Sequence, residues 1–178
     1  MAVTIRRLEE SDDTASFDCG DEPLNNYLNR HAWTNQQKIS IGVTYVAVDQ
    51  SAPRTVLGYF TLATSSAPRD RLPKKHVRGL PPYDLPLILL ARLAVDTRFG
   101  GRGLGHALIS EAFKITLRVA DEVGCRCLIT DAYRDKAGWY ARYGFVPLEE
   151  GAGSGPVKMF LDVRTIRLAV SLNSVRED

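Results

Sequence analysis

Leu93-Ala94-Val95-Asp96-Thr97-Arg98-Phe99-Gly100-Gly101-Arg102-Gly103-Leu104-Gly105 is the stretch on which the reading of this chain turns. It reads as the end of an apolar strand, a short polar turn, and a glycine-rich loop entering a helix. Four glycines (Gly100, Gly101, Gly103, Gly105) leave the backbone bare, so a phosphate can approach N–H groups at a helix start. Arg102 adds a cation to the same loop.

Outward from the loop, the pattern alternates between sheet and helix. Upstream, Leu87 to Val95 is almost all apolar, as expected of a central strand covered on both faces. Downstream, Leu104, Ala107, Leu108, Ala112, Ile115 and Val119 share one face of a helix from Gly103 to about residue 123. Cys125 to Asp131 is a second strand, parallel to the first if that helix is a crossover. Asp135 to Tyr143 reads as a short helix closed by Gly144. Phe145–Leu148 and Val157–Leu161 read as two last strands separated by Gly151-Ala152-Gly153-Ser154-Gly155. Arg164 to Val170 suggests a short terminal helix.

Before the loop, Val3 to Leu8 alternates as a strand, and Asp21-Glu22-Pro23 opens a helix carrying Leu24, Tyr27, Leu28 and His31 on one face. Val43–Val48 and Val56–Leu62 are strands joined through Asp49-Gln50-Ser51-Ala52-Pro53-Arg54. A proline-rich loop with one helical turn follows. The expected fold class is α+β: a mixed, mostly antiparallel sheet flanked by helices, with a central βαβ unit. Residues 1–170 are expected to form one domain and 171–178 a loose tail.

Composition excludes several classes. The 178 residues are 44% hydrophobic and 25% charged, an ordinary soluble balance. No apolar run approaches the roughly 20 residues that span a bilayer, and Met1–Arg7 is not a secretory signal, so a cytoplasmic location is expected. Cys19, Cys125 and Cys127 are too few for a disulfide framework and read as small buried hydrophobes. His31, His76 and His106 lack ligand spacing, so no metal is expected.

The net charge of +2 hides two runs. Glu9, Glu10, Asp12, Asp13, Asp18, Asp21 and Glu22 fall in a stretch without a cation, and Arg69, Arg71, Lys74, Lys75 and Arg78 surround a single Asp70. Each run reads either as a solvated loop or, for the basic one, as an edge that binds a polyanion. Arg92 is a charge within an apolar strand, which requires either an ion pair or a polar cleft.

The loop does not fit a dinucleotide fingerprint, because Leu108 stands where Gly103-Leu104-Gly105 would need a third small residue. No Gly-Lys-Ser/Thr follows for a P-loop. The loop does resemble the cofactor motif of the GNAT superfamily of acyl-CoA-dependent N-acetyltransferases, Gln/Arg-x-x-Gly-x-Gly/Ala. Gly100 replaces the usual Gln or Arg, and Arg98 begins an out-of-frame version two residues earlier. Ala137-Gly138-Trp139-Tyr140-Ala141-Arg142-Tyr143-Gly144-Phe145 is similar to the family's second motif.

The resemblance implies acetyl-CoA as cosubstrate, held by the backbone of Leu93, Ala94 and Val95 and by Gly100, Gly101, Arg102, Gly103, Leu104 and Gly105. It implies Tyr140 as the acid that protonates the leaving thiolate. Phe17–Leu28, Gly58–Leu62, Ile88–Asp96 and Pro156–Met159 extend the likeness to the GNAT toxins of type II toxin–antitoxin operons. That branch acetylates the α-amine of aminoacyl-tRNA by direct transfer in a ternary complex and is neutralised by a ribbon-helix-helix antitoxin. On this reading Lys74, Lys75, Arg78 and Arg92 contact the substrate, and a homodimer is possible. The alternatives are an ordinary GNAT acting on a small-molecule or protein amine, and a GNAT-fold binding module without catalysis.

Overall fold

The computed structural model describes residues 2–148 and 154–174. Gly151–Gly153 of the expected glycine-rich separator and residues 175–178 of the expected tail lie outside the described residues. Seven strands form one sheet in the order β1-β2-β3-β4-β5-β7-β6: β1 Val3–Arg7, β2 Val43–Asp49, β3 Ala52–Ala67, β4 Leu85–Val95, β5 Cys127–Ala132, β6 Val146–Pro147 and β7 Val157–Asp162. The β1–β2, β2–β3, β5–β7 and β6–β7 pairs are antiparallel, and β4–β5 is parallel. This is the mixed, mostly antiparallel sheet expected from the sequence.

The helices are α1 Glu22–Asn26, α2 Ala32–Thr34, α3 Lys74–Val77, α4 Leu104–Glu122, α5 Ala137–Ala141 and α6 Val163–Ser174. Between α1 and α2, and again after α2, the backbone widens into π turns over Tyr27–His31 and Asn35–Ile39. Asp21 caps α1, its carboxylate accepting from Leu24 N at 3.0 Å. Tyr27, Leu28 and Ala32 are the buried positions of this stretch, whereas His31, expected on the same face, is exposed. The π turns change the angular spacing and carry residue 31 off the buried stripe.

Some boundaries differ from the sequence reading. Ala52-Pro53-Arg54, read as part of a connection, already belongs to β3, so only Gln50 and Ser51 separate the strands. The short helix expected over Asp135–Tyr143 is a 3₁₀ turn, Arg134–Lys136, followed by α5. The terminal helix extends beyond Val170.

Contacts divide the chain into two compact units, residues 1–63 with 91–112, and residues 64–90 with 113–178. The core of the first comprises Leu8, Phe17, Tyr27, Leu28, Val46, Val48, Val56, Tyr59 and Ala94. Tyr59 lies edge-on to Phe17 at 5.5 Å between ring centroids, and its hydroxyl donates to Leu24 O at 2.8 Å. Gly58 lets α4 approach the sheet: a β-carbon there would meet Leu108 Cδ1 at 2.9 Å and the Ala94 carbonyl oxygen at 3.0 Å. Much of the acidic run is structural. Asp12 is buried against Arg6, with N–O distances of 2.9 and 2.6 Å, and Asp18 accepts from Gly20 N and Asn25 Nδ2.

The second unit packs Leu72, Val77, Leu85, Leu87, Cys127, Ile129 and Phe160. Asp162 ties this unit together. It accepts two bonds from Arg126 (2.8 and 2.6 Å) and one from Arg164 N (2.8 Å), and His76 Nδ1 lies 3.3 Å away. Burial alone would raise the Asp162 carboxyl, but the bonds from Arg126 and Arg164 outweigh it and hold the group well below the usual carboxylate range.

Two outcomes follow from these contacts. Gly58→Ala is expected to lower stability by about 1–3 kcal/mol, because the clash involves main chain as well as a leucine methyl; thermal melts of the two proteins check this. Asp162 has a depressed folded pKa, so its stabilisation is present above the unfolded value of about 3.9 and fades as pH falls below it. Melting temperature should therefore drop as pH goes from 6 to 3, and Asp162→Asn should flatten part of that slope.

Candidate active site

In the first unit, the loop between β4 and α4 is built on a buried acid. Asp96 is 0% exposed and accepts from Asp18 N (3.1 Å), from Arg98 N (2.9 Å), and from Arg98 Nε and Nη2 (2.9 and 2.7 Å). The Arg98 bond chiefly lowers its pKa, against the opposing effect of burial. Arg98 also donates to Ser16 O at 3.0 Å. Its guanidinium thus braces the loop against Asp96 and Ser16.

Beyond Phe99 the chain needs glycine at two places. Gly101 and Gly103 have φ of +72° and +81°, in the left-handed region, and an added β-carbon at either meets nothing within 4 Å. Gly100 differs. Its φ of −58° suits any residue, and a β-carbon there would lie 3.6 Å from Thr97 O, an ordinary contact. The loop is thus shaped by Gly101 and Gly103, and position 100 can carry a side chain without strain. The open, glycine-lined backbone and the start of the 19-residue α4 suit a diphosphate.

Arg102 is exposed, its guanidinium 5.7 Å from the Phe99 ring centroid. Leu104 is buried as the first residue of α4, and Gly105 follows in its first turn. Leu93, Ala94 and Val95 end β4, with Ala94 buried in the core of the first unit. Arg92 resolves neither as an ion pair nor as a bare charge. Its guanidinium carbon lies 3.6 Å over the Tyr27 ring centroid, a cation–π contact, and no carboxylate pairs with it among the described residues.

In the second unit Tyr140 is 8% exposed, with Trp139 edge-on at 4.9 Å and Phe145 edge-on at 5.4 Å. Burial raises its pKa, and a hydrogen bond with Thr130 works in the opposite direction. The phenol stays protonated at neutral pH and can give up a proton. Thr130, 3% exposed, also donates to Leu90 O at 2.9 Å. Thr130 was not among the sequence-derived candidates; the available signal was one hydroxyl within the apolar Cys127-Leu128-Ile129-Thr130 run.

The basic segment divides by role. Arg69 turns inward and donates to Val77 O at 3.2 and 3.1 Å, and His76 faces Asp162. Lys74, Lys75 and Arg78 are exposed. A groove of about 650 Å³ in the same unit is lined by apolar residues including Leu87, Ile129 and Leu148, and by Arg71, Arg134 and Lys158. Arg134 donates to Gly155 O at 3.2 Å, and Lys158 pairs with Asp131 at 2.6 Å. Arg71 belongs to the basic run seen in the sequence, whereas Arg134 and Lys158 escaped that reading because they are dispersed along the chain.

The cysteines offer no nucleophile. Burial pushes all three thiols up, Cys127 to about 12. No group of three or more metal-ligating side chains occurs among the described residues.

The acetyltransferase (GNAT) domain profile matches residues 40–147. The chain is 31% identical over 166 residues to the tRNA-acetylating toxin of Mycobacterium tuberculosis, covering 93% of this chain and 95% of that protein. This chain belongs to the GNAT acetyltransferase family.

Among solved structures, AtaT complexed with acetyl-methionyl-tRNAfMet superposes with a TM-score of 0.83 at 31% identity, covering 95% of this chain and 99% of that one. A tyrosine-to-phenylalanine mutant of AtaT, bound to the C-terminus of the antitoxin AtaR and acetyl-CoA, gives 0.75 at 28% identity, covering 96% and 99%. Within the family's cofactor motif, the irregular Gly100 predicts a sharp contrast. Gly100→Arg should preserve or tighten acetyl-CoA binding, whereas Gly103→Ala should weaken it several-fold through backbone strain; calorimetric titration of each variant reads both.

Proposed function

We propose that this protein is an acetyl-CoA-dependent N-acetyltransferase toxin that blocks translation by acetylating the α-amine of aminoacyl-tRNA. The observation that carries this reading is the near end-to-end likeness to a protein named as a tRNA-acetylating toxin. The exposed cations Lys74, Lys75 and Arg78 support it, together with a groove in the same unit whose lining includes Arg71, Arg134 and Lys158 and no acid among the described residues. A polyanionic substrate uses such a surface, whereas a small amine has little need of it.

In the proposed reaction residues 1–170 work as one catalytic domain. Backbone amides of Gly100, Gly101, Arg102, Gly103, Leu104 and Gly105 hold the diphosphate of acetyl-CoA, and main-chain groups of Leu93, Ala94 and Val95 hold its pantetheine arm. Arg92 lies against the acceptor, and Lys74, Lys75 and Arg78 grip its phosphates. The neutral α-amine, with a pKa near 8, attacks the thioester carbonyl. The new bond is C–N, the bond broken is C–S, Tyr140 gives its proton to the departing thiolate, and the amine proton leaves to water. Transfer is direct, since no cysteine here favours the thiolate.

The toxin would act in the cytoplasm, where charged tRNA is found. A ribbon-helix-helix antitoxin is the proposed neutralising partner, with a homodimer as the working form. No helix of the described residues is long and apolar enough to cross a membrane.

Two experiments test this. Tyr140→Phe should cut acetyl transfer to aminoacyl-tRNA by at least about 10²-fold and relieve growth arrest at equal expression; full activity would remove Tyr140 from the chemistry. Replacing Lys74, Lys75 and Arg78 together by Glu should reduce tRNA acetylation tenfold or more and lessen its salt dependence, with acetyl-CoA binding unchanged. An unaltered rate would favour an ordinary GNAT acting on a small amine.

A further inference from the structure

Tyr83 is an aromatic ring that the fold does not use. It is 65% exposed, and its side chain makes no hydrogen bond or ring contact among the described residues. The side chains of Lys74, Lys75 and Arg78 are exposed and equally free of partners there. Residues 71–85 hold Arg71, Lys74, Lys75 and Arg78 against a single acid, Asp84.

The segment that carries the ring is held at both ends. Val77 and Leu85 are buried in the core of the second unit, and Leu80 packs against that core. Leu80 N donates to Val77 O at 3.1 Å, and Gly79, at a φ of +79°, turns the chain after α3. Pro81 and Pro82 then fix two φ angles directly before Tyr83. α3 itself is anchored, because His76 lies edge-on to Phe160 at 4.9 Å and Arg126 donates to His76 O at 3.0 Å. Cations and ring therefore stand on stiffened backbone, which lowers the ordering cost of binding. Tyr83 follows Arg78 by five residues, at most about 18 Å of extended chain or about five stacked nucleotides.

A free ring close to free cations suits unpaired RNA. The phosphates meet the cations, and every base offers a π-face to an aromatic side chain. Duplex RNA keeps its bases stacked on one another, and a small amine has nothing to stack. An aminoacyl-tRNA carries its amino acid on an unpaired 3′ strand. We propose that Tyr83 is a stacking platform for an unpaired base of that 3′ strand, with Lys74, Lys75 and Arg78 on the neighbouring phosphates. This inference rests on the function proposed above. The ring adds a contact that does not depend on charge and that places the strand without reading its sequence.

Total aminoacyl-tRNA and labelled acetyl-CoA are the probes. Tyr83→Ala should raise the apparent KM for aminoacyl-tRNA about tenfold, with kcat and acetyl-CoA affinity unchanged. Tyr83→Phe and Tyr83→Trp keep a flat ring and should stay within about twofold of the wild type, whereas Tyr83→Leu should resemble the alanine variant. Stacking releases no counterions. The salt slope of kcat/KM should therefore stay at the wild-type value in Tyr83→Ala, in contrast to the triple cation variant.

A wild-type KM for Tyr83→Ala would overturn the proposal and leave the ring to a protein contact. Wild-type behaviour of Tyr83→Leu would overturn it as well, since any apolar side chain would then suffice. Equal losses in the Phe, Trp and Ala variants would do the same. Failure of the wild-type protein to acetylate total aminoacyl-tRNA would instead refute the function itself, a result distinct from an active wild type matched by Tyr83→Ala.

Discussion

The short pairing of β4 with β5 is the constraint on which the rest of this structure turns. A parallel pair normally continues its ladder for the length of both strands, because each unpaired main-chain group inside a protein costs free energy. Here β4 has eleven residues and β5 six, yet only three pairs form between them. The main-chain groups beyond that point need other partners. Leu90 O finds Thr130, and just past the strand Asp96 N donates to Leu57 O at 2.9 Å.

The charged residues look like two opposing patches in the sequence but divide differently in three dimensions. Asp12, Asp18, Asp21 and Asp96 are consumed by backbone amides, helix capping and arginine partners, so they organise the loops around β4. Among the cations, Arg69 and Arg98 serve the fold in the same way, whereas Lys74, Lys75 and Arg78 project from a short helical turn whose neighbour His76 faces Asp162. The bidentate Arg126–Asp162 pair matters here because Arg126 also donates to His76 O at 3.0 Å. This network fixes the backbone from which the three exposed cations extend.

The sequence carried most of this fold, for identifiable reasons. The apolar run Leu87–Val95, the glycine loop and the period of α4 are local signals that tertiary contacts reinforce. Legibility failed where tertiary context decides. His31 leaves its stripe because π turns interrupt the helix, and Ala52-Pro53-Arg54 becomes strand despite a proline. That Arg98, which begins an out-of-frame version of the cofactor motif, bonds Asp96 and Ser16 could not be read from the motif. Thr130, Arg134 and Lys158 depend on neighbours 21 to 40 residues away in the chain, separations at which no periodicity can report.

Arg92 shows how a charge can remain functional inside an apolar strand. An ion pair would satisfy the guanidinium but would also neutralise it and occupy its donors with a carboxylate. The Tyr27 ring, 3.6 Å from the guanidinium carbon, does neither. The ring face stabilises the cation through its quadrupole, and that contact leaves the N–H groups around the guanidinium edge in their own plane. Tyr27 is itself held by the core, stacked 6.4 Å from Tyr59, so the cation rests on a rigid platform. A positive group supported in this way retains its field and its directional donors without a carboxylate partner among the described residues.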